Sequence, residues 1–231
     1  MAFRSFSCFH LVLNYFPRAF AVVAVLILSA SVRAEDLTAR FDAAGCRACH
    51  RVGFRGGDSG PDLTLVGVRR PRTWLDLWLK SPHAWKPDTK MPEQGLSAAD
   101  RGALAEFLSA QKGQAWGEDR PWRGIEPGEI SGRDVYVRAG CVACHGPAGR
   151  GGHPNPGAHG DIIPALAPLM STYNKEELKA KLKNGVIPDG HDGRTAAVVM
   201  PAWKGVLDED ELDALTAYLL SLGESQPKSD W

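Results

Sequence analysis

The 231-residue chain has almost no cysteine outside two short segments. Cys8 lies among the first 34 residues, and the other four of its five cysteines stand at 46, 49, 141 and 144. A mature chain without Cys8 has no cysteine left over for a disulfide. Net charge is also missing, since 27 Lys and Arg balance 27 Asp and Glu. Residues 1–34 hold three of the arginines and no acid, so the rest carries 24 basic and 27 acidic side chains, a net of −3. Such a weak charge argues against nucleic acid as a partner. No apolar run reaches the roughly 20 residues of a spanning helix. The longest, Phe20 to Ala30, follows Arg4, Pro17 and Arg18 and precedes Val32-Arg33-Ala34. This is the pattern of an export signal cleaved after Ala34, which predicts a periplasmic protein; a retained anchor is the alternative. Methionine is scarce as well: after residue 34 only Met91, Met170 and Met200 occur. No stretch shows the alternation of a strand-rich domain.

What the chain does contain is Cys46-Arg47-Ala48-Cys49-His50 and, 95 residues later, Cys141-Val142-Ala143-Cys144-His145. Two cysteines separated by two residues and followed by histidine form a c-type haem attachment site. The thiols must lie about one helical turn apart to meet the two vinyl groups of one porphyrin. The next residue then falls under the ring, where an imidazole nitrogen can ligate iron. A thioredoxin-like thiol pair is the competing reading of one match, and its recurrence makes two covalent haems, with their iron, the expectation.

Other landmarks repeat around this step. Phe41 and Tyr136 each precede their motif by five residues, with Gly45 and Gly140 directly before it. A Pro-x-Leu follows at Pro61 and Pro164, then Met91-Pro92 and Met200-Pro201. Each unit closes on a helical pattern, Leu104, Phe107 and Leu108 in one and Leu215, Tyr218 and Leu219 in the other. Ser97 with Asp100 and Asp208 with Glu211 have the spacing of N-terminal caps for those helices. Further helices are expected over Trp74 to Leu79 and Glu176 to Leu182. The predicted division is a signal over 1–34, units over 35–113 and 129–224, a Gly- and Pro-containing linker over 114–128 and a tail over 225–231.

The chain therefore resembles a di-haem c-type cytochrome built of two class I cytochrome c domains, a likeness covering nearly all of residues 36–223. It implies an all-α fold of two tandem helical domains, each wrapped round one covalent haem c, and one-electron transfer between redox proteins without substrate chemistry. It also implies that Cys46, Cys49, Cys141 and Cys144 carry the haems and that His50 and His145 are proximal ligands. Met91 and Met200 would be distal ligands, with the carbonyls of Pro61 and Pro164 accepting a hydrogen bond from each histidine's other nitrogen. Ligand chemistry agrees, because a thioether is a soft neutral donor that favours ferrous iron. Met170 competes with Met200 but lacks the repeated Met-Pro context.

The units differ in two respects. His145 to Pro164 is eight residues longer than His50 to Pro61, and the surplus lies in a Gly-rich loop with His153 and His159. These, and His191, are solvated residues, docking contacts or alternative ligands. Arg47, Arg51 and Arg55 surround the first motif, whereas Asp208 to Asp213 holds five acids in six residues. If these charges act on the haems, the second has the lower potential and receives electrons, and the first passes them to an acidic acceptor. The competing functions are a di-haem enzyme such as a peroxidase, an electron-transfer subunit of a membrane-bound or periplasmic oxidoreductase complex, and a haem-bearing sensor.

Overall fold

A computed structural model describes residues 36–224. The expected signal, Cys8 and the tail beyond 224 lie outside the described residues. Among the described residues no helix is long and apolar enough to cross a membrane.

Helices dominate. The first unit comprises α1 (36–43), α2 (Val66–Arg69), α3 (Arg72–Lys80), α4 (Pro82–Trp85) and α5 (Ala98–Ser109). A two-stranded antiparallel hairpin, β1 (Arg51–Val52) with β2 (Arg55–Gly56), follows the first Cys-x-x-Cys-His motif. Its register pairs Arg51 with Gly56 and Val52 with Arg55. The second unit comprises α6 (Gly132–Arg138), α7 (Val142–His145), α8 (Ala167–Met170), α9 (Lys175–Asn184) and α10 (Glu209–Glu224). Helix α5 packs on α3, and α10 packs on α6, α8 and α9. The closing helix of each unit is thus its structural spine.

Local chemistry sets the helix starts. Ser97 Oγ accepts from the Asp100 amide to open α5. Asp208 and Glu211 cap α10 reciprocally, Asp208 Oδ1 taking the Glu211 amide at 2.9 Å and Glu211 Oε2 the Asp208 amide at 2.8 Å. Each such bond satisfies a first-turn donor that has no partner within the helix. The same device at Asn174 and Glu177 opens α9.

Two apolar clusters follow the two units. Phe41, Val52, Leu75, Leu79, Leu104 and Phe107 belong to the first, and Tyr136, Leu178, Trp203, Leu212 and Leu215 to the second. The second cluster crosses the expected boundary, however. It takes Leu65 from the first unit and Trp116 and Trp122 from 114–128. Burying two indoles gives that segment a strong reason to fold back rather than hang free. The Trp122 indole also hydrogen-bonds the carboxylate of Glu211, which pairs with Arg120 at 2.6 Å and has no exposed side-chain surface. Residues 114–122 therefore form a strap anchored on the second unit by Trp116 and Trp122, and 123–128 are exposed.

Candidate haem sites

Each motif folds as one tight turn. The His50 amide donates to Cys46 O at 2.9 Å, and the His145 amide to Cys141 O at 2.9 Å. The turn brings both thiols and the imidazole of each motif to one locality, as attachment to a single porphyrin requires. Cys46 and Met91 both pack on the first apolar cluster, and Cys141 and Met200 on the second. Each motif thus shares a core with the methionine expected to complete it.

The surroundings of both histidines favour the neutral form. Burial lowers the His50 pKa, opposed by its bond to Pro61, and lowers that of His145 to about 4. A neutral imidazole keeps a lone pair for a metal. Burial also pushes the Cys141 thiol up to about 12, so that position suits a neutral thioether better than a thiolate.

On the proximal side of the first unit, His50 Nδ1 lies 2.9 Å from the Pro61 carbonyl. Gly60 lets the chain come this close, because a Cβ there would stand 2.6 Å from His50 Cε1. The second unit differs from expectation. His145 Nδ1 is buried without a hydrogen-bond partner, and Pro164 does not receive it. The reason is the longer loop. Gly152 and Ile163 bond across it, from the Gly152 amide to Ile163 O and from the Ile163 amide to His153 O, each at 2.8 Å. This holds Pro164 against the backbone of Gly151, where a Cβ would meet the Pro164 carbonyl carbon at 2.4 Å.

The methionines sit in unlike settings. Met91 is half-buried, and its sulfur accepts the Trp78 indole N–H at 3.0 Å. Trp78 stacks in turn on Trp74, with ring centroids 5.2 Å apart. Met200 is half-buried and bridges Val186 through both backbone amides, at 2.9 and 3.0 Å. Met170 is 5% exposed, with its Cβ against Gly223 of α10, the position of a core filler.

The surplus loop supports the Met200 segment. Asn155, 3% exposed, donates to Val198 O at 3.0 Å and accepts from the Val198 amide at 2.8 Å. Nothing in the sequence marks Asn155, since an Asn in a Gly-rich loop is ordinarily a turn residue. His153 is half-buried beside Gly146, while His159 and His191 are exposed and meet edge to face at 5.3 Å. His191 also lies 3.3 Å from the Asp192 carboxylate, and His83 3.5 Å from Glu93.

The charge asymmetry is smaller than the sequence implies. Glu209 pairs with Lys179 and Lys183, Asp213 with Lys175 and Lys179, and Glu211 with Arg120. Arg47 pairs with Asp42 and donates to the Arg55 carbonyl. Local pairing of this kind weakens the long-range field on which a direction of electron flow would depend.

The haem-bearing elements of the two units also meet. Arg70 stacks on Trp74 at 4.3 Å and donates to Cys144 Sγ at 3.2 Å. Arg69, 8% exposed, donates to the Asp62 carbonyl at 2.9 Å.

Comparison with known proteins agrees with this duplicated architecture. The cytochrome c family model matches residues 38–112 and again 130–223. Among curated proteins, the FixP subunit of the cbb3-type cytochrome c oxidase of Bradyrhizobium diazoefficiens is 36% identical over 210 residues, covering 85% of this chain and 63% of that protein. The FixP subunit of Bradyrhizobium sp. strain ORS 278 is 29% identical over 199 residues, covering 77% and 57%. That of Azorhizobium caulinodans is 25% identical over 210 residues, covering 84% and 61%. The chain thus spans about three-fifths of the length of these curated relatives. No solved structure matches the chain.

Proposed function

The chain belongs to the cytochrome c family, and we propose that it is a periplasmic electron-transfer protein with His/Met ligation at both haems. Two cytochrome c domains carry two covalent haem c groups, whose iron supplies a one-electron couple when bound. The observation that carries the reading is the duplicated site, a Cys-x-x-Cys-His turn whose first cysteine packs on the same apolar cluster as a methionine and whose histidine is half-buried. Cys46, Cys49, Cys141 and Cys144 hold the groups, and His50 and His145 stand as proximal donors. Met91 and Met200 stand as distal donors, the first oriented by Trp78. The apolar clusters exclude water, which favours the less charged ferrous state at each site.

The partners are redox proteins acting as donor and acceptor. The names of the relatives favour one setting, a subunit that delivers electrons to a membrane-bound oxidase of the cbb3 type. In this role the chain is a carrier, and no acid-base residue beside an open iron position is called for.

Denaturing mass spectrometry is the first test. The expected mass is that of the chain from about Glu35 plus two haems that acidic organic solvent does not extract. One haem, or none, overturns the reading. Co-purification of oxidase subunits from membranes of the native host then tests the setting, and a haem protein found only free in the periplasmic fraction counts against it.

A further inference from the structure

The proximal side of the first haem site is held by a residue of the second unit. Arg138 ends α6, three residues before Cys141. Its guanidinium crosses to the first unit, where Nη2 donates to the Gly53 carbonyl at 2.8 Å and Nη1 lies 2.9 Å from Asp62 Oδ2. The approach to Oδ2 is off the hydrogen-bond angle, so charge attraction rather than a directed bond joins the pair. Both side chains are largely enclosed, at 12% and 4% exposed. Trp116 of the strap lies 5.8 Å from the guanidinium carbon and covers it.

Asp62 is tied on its other sides as well. Its Oδ1 accepts the Thr64 amide at 2.8 Å and the Thr64 hydroxyl at 2.5 Å, and its carbonyl accepts Arg69. Asp62 directly follows Pro61, whose carbonyl lies 2.9 Å from His50 Nδ1. A contact chain therefore runs from α6, next to the second haem attachment, through Arg138 and Asp62 to the first proximal histidine.

We propose that Arg138 is a positioning residue for the first haem. By fixing Asp62 it holds the Pro61 carbonyl against His50 and so couples the redox chemistry of one unit to the seating of the other. This rests on the reading of His50 as proximal ligand. An acceptor on the far nitrogen of a ligating histidine makes the imidazole a stronger donor. A stronger donor stabilises ferric iron and lowers the potential. Releasing Asp62 should weaken that bond and raise the potential of the first haem.

Charge alone predicts the opposite sign. Arg138→Gln removes a positive charge, and the loss of a nearby cation favours the ferric state and lowers the potential. Arg138→Lys retains the charge but loses the planar fork that reaches Gly53 and Asp62 together, so charge alone predicts no change. The deciding measurement is a redox titration of the full di-haem protein, with each haem followed by its own hyperfine-shifted NMR resonances. Positioning predicts a raised first-haem potential in Arg138→Gln, Arg138→Lys and Asp62→Asn, with the double variant Asp62→Asn/Arg138→Gln shifted by less than the sum of the singles. A lowered or unmoved potential in Arg138→Gln, or an unmoved one in Arg138→Lys, overturns the proposal. Should Arg138→Gln fail to fold, Arg138→Lys carries the decision. Haem loading by denaturing mass distinguishes the two failures. A protein without haem at Cys46 and Cys49 removes the site reading and the proposal together, whereas full loading with the wrong sign of shift removes the proposal alone.

Discussion

Met91→Ala and Met200→Ala are each expected to convert one haem, and only one, into a form of lower potential that binds external ligands. Removing a soft thioether takes away the donor that favours ferrous iron, and alanine cannot reach the vacated position. The effects should fall on different haems, because Met91 packs on the first apolar cluster and Met200 on the second. Absorption spectra with and without carbon monoxide check this, the expected result being carbon monoxide binding at half the haem in each variant. Met170→Ala is the control. It should leave both spectra unchanged and destabilise the fold by roughly 2–5 kcal/mol, since this side chain is 5% exposed in the second core. A spectral change in Met170→Ala with none in Met200→Ala would reverse the assignment in the second unit.

Arg120→Ala should be the most destabilising of the ion-pair changes, although Arg120 itself is 35% exposed. Glu211 has no exposed side-chain surface, and Arg120 is its only cationic partner among the described residues. Breaking a buried pair from one side leaves a carboxylate without its counter-charge, at a cost of about 3–5 kcal/mol. The Trp122 indole and the Asp208 amide still donate to that carboxylate, which places the loss near the lower end. For a chain of this size such a loss lowers the melting temperature by on the order of 10 °C. Lys175→Ala offers the contrast: its pair with Asp213 is 54% and 43% exposed and should be worth about 1 kcal/mol or less. Guanidinium melts of the three proteins decide it. Equal losses in Arg120→Ala and Lys175→Ala would mean that the strap contributes little to the second unit.

The haem count, the helical class and the twofold repeat could all be recognised in the sequence, because each is written in short-range spacing. Cys-x-x-Cys-His is a one-turn requirement, and the Ser97 and Asp208 caps are three-residue requirements that appear where expected. A local rule of this kind holds whatever the rest of the chain does. The features that escaped depend on contacts between residues far apart. Gln114 to Gly128 has the composition of a linker, yet Trp116 and Trp122 are buried because a surface in the other half of the chain receives them. The acidic run at 208–213 suggests a charged face, but lysines on α9 and an arginine of the strap answer most of it.

The same division explains Pro164 and Arg138. Repeat symmetry gives Pro164 the role of Pro61, but eight extra residues fold on themselves and leave His145 Nδ1 without an acceptor. Arg138 has no mark in the sequence beyond a basic residue at a helix end, where an arginine ordinarily faces water. Its reach to Asp62, 76 positions earlier, exists only because the two units are packed together. The sequence alone determined the number of haems and the two Cys-x-x-Cys-His turns, since the motif is a matter of spacing along one turn. Tertiary structure alone decided how the two sites differ and where they touch, since burial and charge pairing depend on what the fold brings alongside.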